Sequence, residues 1–338
     1  VAYTSLLIER RKILHERTAQ AMEEVYHNRL EDHYSELAYH YSRSGNTQKA
    51  VDYLQLAGQQ AVQQSANGEA ITHLTTALEL LKILPGTPER DRQELTLQLA
   101  LGPALLASKG YAASEVAHIY DRARTICQQH SENLQLFTVL HGLCLYYIVR
   151  GEHRTAKDLG ERLLRLAQTA QDDALLLEAQ YVFGETLFLM GETAAARSHL
   201  QQAVDLYDVQ QHRSQAFRYG QDLGVFGLGM MALVLWLCGY PDQASQKAHE
   251  GLRLAEELMH INSLGAALFF TSMLHQFRQE ERIVQGLAET LIAVATKHGL
   301  PYWLAQGIFN QGWARVQQDQ REEGMIQRQD GLAAERAT

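Results

Sequence analysis

Two stretches of the chain repeat one spacing of small and large apolar residues. The first holds Gly184, Leu187, Gly191, Ala196, Leu200 and Ala203, and the second holds Ala232, Leu235, Gly239, Ala244, Ala248 and Gly251. In both stretches, successive positions are separated by 3, 4, 5, 4 and 3 residues. Small residues at helical spacing let two antiparallel helices approach closely, so each stretch predicts one helical hairpin.

The same register continues through most of the chain. The position between the two helices of a hairpin is held by Gly110, Gly151, Gly191, Gly239, Gln279 and Asp319, at steps of 41, 40, 48, 40 and 40 residues. Glycine suits the left-handed residue that ends a helix, so Gln279 and Asp319 depart from the pattern. A regular step near 40 is typical of tetratricopeptide-repeat (TPR) relatives with helices longer than the repeat of about 34 residues. We predict an all-α, TPR-like α-solenoid of antiparallel hairpins forming a right-handed superhelix.

The chain divides into three predicted parts. Residues 1–30 predict a linker helix whose apolar side holds Leu6, Ile13, Leu14, Ala21 and Val25. Residues 31–88 predict N-terminal TPR-like hairpins in which the helix starting near Ala50 serves two hairpins. The Leu-Pro-Gly-Thr-Pro run at 84–88 ends this part, and residues 89–338 form the array with the 40-residue step.

The 48-residue step contains an insert at 206–222. Insertions in solenoids often lie on the binding face. Arginine can hold a carboxylate or phosphate with two hydrogen bonds, and tyrosine adds a rigid contact surface. The predicted ligand-contacting residues are His212, Arg213, Arg218 and Tyr219. In the alternative interpretation, Arg213 and Arg218 pair with Asp205, Asp208 or Asp222 and only hold the longer loop in place.

The concave face of the superhelix is a second predicted binding surface. In TPR hairpins the first helix lines this face, which here would be aromatic and apolar with a few acids and would suit an apolar peptide or helix. The alternative is that these aromatic residues only pack against the next hairpin. The predicted lining residues are His141, Leu145, Ile148, Glu178, Tyr181, Glu185, Phe188, Phe226, Leu233, Trp236, Phe269, Met273 and Gln276.

Charge and composition argue against several classes of partner. The formal net charge of −9 disfavours nucleic acid, which attracts basic surfaces. The apolar run at 223–240 is shorter than the ~20 residues of a membrane span and is rich in glycine, so a buried solenoid helix is favoured. The three cysteines, Cys127, Cys144 and Cys238, are far apart and lack zinc-ligand spacing, which favours reduced thiols in a cytoplasmic protein without a metal site.

No motif for catalysis or cofactor binding is present in the sequence. The phosphate-binding G-x-x-x-x-G-K-[ST] pattern is missing, and no nucleophile, base and orienting group occur in a known arrangement. The glycines of GVFGLG at 224–229 lie in an apolar helical run, which indicates packing and not dinucleotide binding. We therefore expect this segment to be neither an enzyme nor a cofactor-binding protein.

Several segments resemble the C-terminal helical region of large bacterial signalling ATPases. In that family, a class III adenylate/guanylate cyclase or kinase domain precedes a STAND-type, AAA-like NTPase, and a TPR-like tail follows. The resemblance covers nearly the whole chain, although Leu223 stands where family members often carry proline. The segments that carry the resemblance are 40–61, 104–116, 141–152, 206–225, 233–244 and 268–278, and the most specific block is 206–244.

The resemblance implies that residues 1–30 leave an NTPase module and that the repeats act as its sensor or scaffold. The predicted function is a protein-interaction scaffold that regulates a STAND-type ATPase or cyclase. Its expected partners are a protein or peptide, or a small ligand, and the NTPase domain of the same chain. Two alternatives remain open: a small-molecule receptor with an aromatic pocket near Trp236 or Trp303, and a scaffold that joins copies into a homo-oligomer.

Overall fold

Residues 8–130, 133–213, 216 and 219–336 are described in the computed structural model, and among them there is no β-strand. This confirms the predicted all-α class. A 3-10 turn at Leu30–His33 precedes the second helix. The helices are α1 (Ile8–Val25), α2 (Tyr34–Ser44), α3 (Thr47–Gln63), α4 (Asn67–Leu81), α5 (Pro88–Lys109), α6 (Ser114–His130), α7 (Asn133–Val149), α8 (His153–Ala170), α9 (Asp173–Leu189), α10 (Thr193–Leu206), α11 (Val209–His212), α12 (Leu223–Leu237), α13 (Pro241–Leu258), α14 (Ile261–Phe277), α15 (Glu281–His298), α16 (Pro301–Gln317) and α17 (Arg321–Arg336).

The small residues of the repeat pattern sit where two helices cross closely. A methyl group added at Gly184 would lie 2.8 Å from Leu200 Cγ, so α9 and α10 could not approach as they do. At Gly229 the added carbon would lie 2.5 Å from the ring of Phe270, which belongs to the next hairpin. Glycine thus serves both the contact within a hairpin and the contact between hairpins.

The turns between paired helices keep one geometry with and without glycine. Gly191 and Gly239 have φ angles of 80° and 82°, in the left-handed region. Gln279 and Asp319 occupy the same position with φ angles of 57° and 64°. The predicted turn positions are therefore correct even where the sequence lacks the residue that favours them.

The apolar run at 223–240 folds as a solenoid helix. Helix α12 has 15 residues, and Asp222 Oδ1 accepts a hydrogen bond from the Val225 amide at 3.0 Å at its start. Asp222 therefore caps the helix although Leu223 replaces the proline of similar proteins. None of the described helices combines the length and the apolar character needed to cross a bilayer.

The N-terminal helices confirm one expectation and correct another. Helix α3 packs against both α2 and α4, so one helix does serve two hairpins. The apolar side predicted for α1 is wrong: Ile13, Leu14 and Val25 are 52%, 45% and 70% exposed. Among the described residues α1 packs mainly against α2, with Glu23 also paired to Lys49 of α3, and Ala19 on the opposite side is fully buried.

The break at 84–88 separates two helices that remain packed together. Helix α4 ends at Leu81, and α5 begins with Pro88 at its first turn, preceded by the capping residue Thr87. Because α4 and α5 pack against each other and share one hydrophobic core, the core continues across the break. The division into parts at residues 30 and 88 stays a prediction.

The superhelix curls until α16 reaches α5. Tyr111, just beyond α5, makes ring contacts with Tyr302 at 5.3 Å and Trp303 at 6.4 Å between centroids. Asn262 Nδ2 donates to the Tyr111 hydroxyl at 3.1 Å, across 151 residues of chain. The first helices of successive hairpins, α7, α9, α12, α14 and α16, consequently surround one inner surface.

Candidate functional site

A cavity of about 320 Å³ lies on this inner surface, and we call it the groove. Five successive first helices contribute side chains, because each hairpin presents the same face to the inside of the curl. The lining residues are Tyr111, Leu145, Ile148, Val149, Gly151, His153, Glu185, Phe188, Leu189, Gln221, Phe226, Met230, Leu233, Phe269, Phe270, Met273, Tyr302, Trp303 and Glu335.

The aromatic floor of the groove is held by hydrogen bonds. Trp303 is 3% exposed, and its Nε1 donates to Asn262 Oδ1 at 2.5 Å. Asn262 Nδ2 donates in turn to the Tyr111 hydroxyl and, at 2.6 Å, to the carbonyl oxygen of Gly220 in the insert. One amide therefore fixes the positions of the indole and the phenol and ties them to the insert.

Glu185 of α9 is one of the two acids, with Glu335, among the described residues that line the groove. Burial raises the pKa of its carboxyl to about 7, and the nearby Tyr181 hydroxyl lowers it by less. Its Oε2 atom is buried and has no hydrogen-bond partner among the described residues. At neutral pH this carboxyl is close to half ionised, and it gains little stabilisation within the chain.

The structure separates the predicted groove residues into those that line the groove and five that do not, namely His141, Glu178, Tyr181, Trp236 and Gln276. Eight of them line the groove, and the fully buried His141, Glu178 and Tyr181 lie beneath its surface because the superhelix brings neighbouring first helices into contact. Trp236 is half-buried beside the groove, with the Arg278 guanidinium 6.0 Å from its ring. Those that line it are Leu145, Ile148, Glu185, Phe188, Phe226, Leu233, Phe269 and Met273.

The buried set forms a polar cluster behind the groove. His141 Nε2 lies 3.1 Å from Glu178 Oε2, with side chains 1% and 0% exposed. The Tyr219 ring contacts the His141 ring edge-to-face at 4.8 Å. These residues join α7, α9 and the insert, so placing His141, Glu178 and Tyr181 on the accessible concave surface was wrong. Tyr181 has no exposed surface with which to contact a ligand.

The insert places its predicted binding residues in different surroundings. His212 is 6% exposed, and its Nδ1 accepts from the Asp208 amide at 2.9 Å; Tyr219 is 3% exposed. Neither residue lines the groove. Arg213 is exposed, and Arg218 lies outside the described residues. Contact of these four residues with a ligand stays a prediction that the structure does not test.

Asp222 holds the described part of the insert through contacts with Tyr207 and Ser263 in addition to its helix cap. Its Oδ2 accepts from the Tyr207 hydroxyl at 2.9 Å, and its amide donates to Ser263 Oγ at 2.9 Å. Burial raises the pKa of Asp222, which is 1% exposed. The loop is thus held by a tyrosine and a helix cap.

Several groove residues escaped the sequence analysis. Tyr111 and Gln221 lie outside the first helices, and they reach the groove only because the superhelix curls and the insert folds inward. Met230 lies on α12, about one turn from the predicted Phe226 and Leu233. Tyr302 lies on α16, the first helix of the last hairpin. The 40-residue step from Phe269 and Met273 leads to Phe309 and Trp313, so continuing the lining positions into the last hairpin would still have missed Tyr302 and Trp303.

A larger cleft of about 920 Å³ lies between α4, α5 and α6, and we call it the N-terminal cleft. Its carboxylates lie beside bases: Arg122 Nε and Nη2 donate to the two oxygens of Glu94 at 2.6 and 2.8 Å. Lys82 Nζ donates to Glu79 at 2.6 Å in the same cleft. The charges here are largely neutralised by one another.

The described residues contain no group of three or more His, Cys, Asp or Glu side chains that could hold a metal ion. The residues that line the groove offer hydrophobic contact, aromatic faces and carboxylates. Side chains of these kinds are typical of ligand-binding surfaces.

Comparison with known proteins adds relatives in sequence and in fold. No protein-family model matches the chain. An uncharacterized protein of Rhizobium meliloti (strain 1021) is 22% identical over 334 residues, which cover 98% of this chain and 32% of that protein. This chain thus spans about a third of its relative's length.

Solved structures with the same fold include those of NprR and of a Rap protein. NprR in complex with its cognate peptide NprX is 14% identical with a TM-score of 0.63, covering 98% of this chain and 89% of that one. The apo quorum sensor NprR from B. thuringiensis has 13% identity and a TM-score of 0.63, over 96% and 88%. A Rap protein complexed with Competence and Sporulation Factor has 11% identity and a TM-score of 0.61, over 85% and 76%. The chain is a TPR-like helical repeat protein.

Proposed function

We propose that the chain is a sensor scaffold that binds a peptide segment in the groove and acts as the regulatory tail of a STAND-type signalling ATPase. The observation that carries the binding part is the groove itself. It encloses about 320 Å³ behind aromatic and aliphatic side chains from five successive hairpins. Concave, largely apolar walls with a few polar groups are typical of ligand sites.

A peptide is the ligand that this shape favours. Repeated first helices place Phe188, Met230 and Phe269 along one wall, which gives successive contacts to an elongated chain. Aromatic and methionine side chains are enriched where proteins bind proteins. Support also comes from NprR, solved in complex with its peptide NprX on the same fold.

Regulation would act through the curvature of the superhelix. Tyr111 and Trp303 meet across the closure between α5 and α16, and both line the groove. A ligand that contacts both sides at once favours the closed curvature by its differential affinity for that state. The sequence resemblance to STAND-type tails supports an NTPase as the domain that responds.

Binding in the groove can be tested by a charge placed in its wall. A random peptide library is selected on the 338-residue chain, and the recovered peptides are titrated against the wild type and Phe188→Arg. We expect at least a 100-fold loss of affinity with Phe188→Arg, which fills the groove. Leu237→Arg is the matched control, because Leu237 is 55% exposed and does not line the groove. Equal affinity for both variants would refute the groove.

The tail assignment has a separate test. The reading frame upstream of the codon for Val1 is expected to encode a P-loop followed by a winged-helix pattern. In the protein that contains the upstream NTPase module together with this chain, the selected peptide should change the rate of NTP hydrolysis. Phe188→Arg should abolish that change. A start codon within a few residues of Val1 would refute the tail and leave the groove proposal standing.

A small-molecule receptor is the second candidate function. The groove volume falls within the roughly 300 to 1,000 Å³ of small-molecule sites, and its aromatic walls include Trp303. In this case, peptide selection should yield no binder that depends on Phe188. A metabolite screen that follows the unfolding temperature should instead find a stabilising compound whose effect disappears in Phe188→Arg.

A further inference from the structure

We propose that the groove recognises a positively charged group, the ammonium or guanidinium of a lysine or arginine in the bound peptide, held by the Glu185 carboxyl within an aromatic cage. This proposal rests on the proposed peptide-binding function and specifies its ligand class. Three independent features of the groove carry it: an acid without a basic partner, the charge of the lining, and the arrangement of the rings.

The acid comes first. Glu185 lines the groove, and its Oε2 atom is buried without a hydrogen-bond partner among the described residues. The Tyr181 hydroxyl interacts with the same carboxyl from the next turn of α9. A buried carboxylate costs free energy unless a cation or several donors face it, so this position is improved by a ligand that supplies a cation.

The charge of the lining points the same way. Among the described residues that line the groove there is no lysine and no arginine, while Glu185 and Glu335 are both acids. Glu335 Oε1 accepts from Gln306 Nε2 at 2.9 Å. His153 is the histidine of the lining. With a formal net charge of −9 for the whole chain, the groove is complementary to a cationic ligand and repels an anionic one.

The rings form the cage. Trp303 has Phe269 at 5.8 Å, Tyr302 at 4.9 Å, and Phe226 and Tyr111 each at 6.4 Å between ring centroids. Cations bind to the faces of such rings with energies that grow as water is excluded. Because Asn262 fixes Trp303 and Tyr111, the cage needs little reordering when a ligand enters.

Of the groups around this site whose pKa is shifted, Glu185 is the one whose pKa lies near 7. Burial raises the pKa values of the surrounding phenols and thiol, which therefore stay neutral. The pKa of Glu185 is raised by burial to about 7, and a bound cation would lower it. Affinity for a cation should therefore fall about tenfold per pH unit well below pH 7. The facing groups are Tyr111, Cys144, Tyr181, Tyr302, His153 and Glu335.

The test uses four pools of N-acetylated heptapeptides with random flanks and a fixed central residue: lysine, arginine, norleucine or glutamate. Binding of each pool to the 338-residue chain is measured from pH 5.5 to 8. We expect the lysine and arginine pools to bind at least tenfold more tightly than the norleucine pool, and the glutamate pool to bind most weakly. The advantage of the cationic pools should shrink about fivefold between pH 7 and pH 6, as the ionised fraction of a carboxyl with a pKa of about 7 does.

Glu185→Gln removes the acid and keeps the shape of the side chain. In this variant the cationic pools should fall to the level of the norleucine pool, and their pH dependence should disappear. Glu94→Gln, in the N-terminal cleft, is the matched control and should leave all four pools unchanged.

The outcomes separate this inference from the function on which it rests. If the norleucine pool equals the cationic pools and all respond to Phe188→Arg, the groove stands and the cationic specificity is refuted. If Glu185→Gln leaves the cationic advantage intact, Glu185 is refuted as its origin. If every pool binds equally to wild type and Phe188→Arg, or no pool binds, the peptide-binding function is itself contradicted.

Discussion

The N-terminal cleft and the groove are both concave, but they treat charge in opposite ways. In the cleft, Glu94 receives two hydrogen bonds from Arg122 and has Arg90 Nη2 at 3.6 Å. In the groove, Glu185 has no basic partner among the described residues and lies among aromatic side chains. The cleft is almost three times larger, at about 920 against 320 Å³.

The difference shows that volume is a poor guide to a binding site in a solenoid. A cleft whose acids and bases pair within the chain offers an incoming ligand little that water and the protein do not already supply. A smaller groove can bind a ligand more favourably when its carboxyl has no basic partner and its rings are already held in place. Substitutions in the two regions should therefore differ in sign as well as in size.

The largest effect is expected from Asn262→Ala, which breaks the link between the groove floor, the insert and the closure. Its amide serves the Trp303 indole, the Tyr111 hydroxyl and the Gly220 carbonyl, so truncation leaves buried polar groups without partners. We expect a loss of about 3 kcal/mol in the free energy of unfolding, measured in urea. Gln201→Ala, which removes one exposed hydrogen bond to Asp205, is the control and should cost under about 0.5 kcal/mol. A similar small cost for Asn262→Ala would refute the rigid floor.

The next effect concerns the pH dependence of stability at Glu185. Its pKa is raised to about 7 in the folded chain from an ordinary 4.5. The stability that the protonated carboxyl contributes to the folded chain is therefore fully present below pH 4.5 and is lost as pH rises through 7. Glu185→Gln should then be more stable than wild type at pH 8 by on the order of 1 to 3 kcal/mol, with the gain vanishing near pH 4. Denaturant unfolding at pH 4, 6 and 8 measures this. A gain that does not vary with pH would contradict the raised pKa.

Glu94→Gln should have the opposite sign. It removes the carboxylate that Arg122 and Arg90 share, so the free energy of unfolding at pH 7 should fall by about 1 kcal/mol. Peptide binding in the groove should not change. If Glu94→Gln stabilised the chain as Glu185→Gln does, the contrast between the two regions would be lost.

The smallest effect is expected at the insert. Arg213 is exposed, so Arg213→Ala should change stability and peptide affinity by less than about 0.5 kcal/mol. His212→Ala, at a buried site, is the comparison and should destabilise the chain more than Arg213→Ala does. A tenfold loss of peptide affinity with Arg213→Ala would return the insert to the binding surface.

Sequence spacing predicted the hairpins because it reflects local packing. The small residues at Gly184 and Gly239 mark helix crossings and turns, and both features depend on neighbours close in sequence. The same logic placed Glu185 and Phe188 on the inner face. It failed for Tyr181, which is on the correct helix but at a depth that the next hairpin covers.

Features that depend on the closed superhelix could not be predicted in this way. Tyr111 and Asn262 meet across 151 residues, and no periodicity in the sequence encodes that contact. For α1, the amphipathic pattern gave the wrong side because a helix with one packed neighbour can leave apolar residues such as Ile13 exposed. Local sequence patterns determine the helices and turns. The groove depends on the curvature of the superhelix, to which every hairpin contributes.

The central claim is that a peptide binds in the groove and not in the N-terminal cleft. The most direct measurement is amide hydrogen exchange of the chain with and without a selected peptide, followed by fragment analysis. The account predicts slower exchange in fragments from 181–189, 223–237 and 261–277, with no change in 67–81 and 114–130. Slower exchange confined to 67–81 and 114–130 would contradict it.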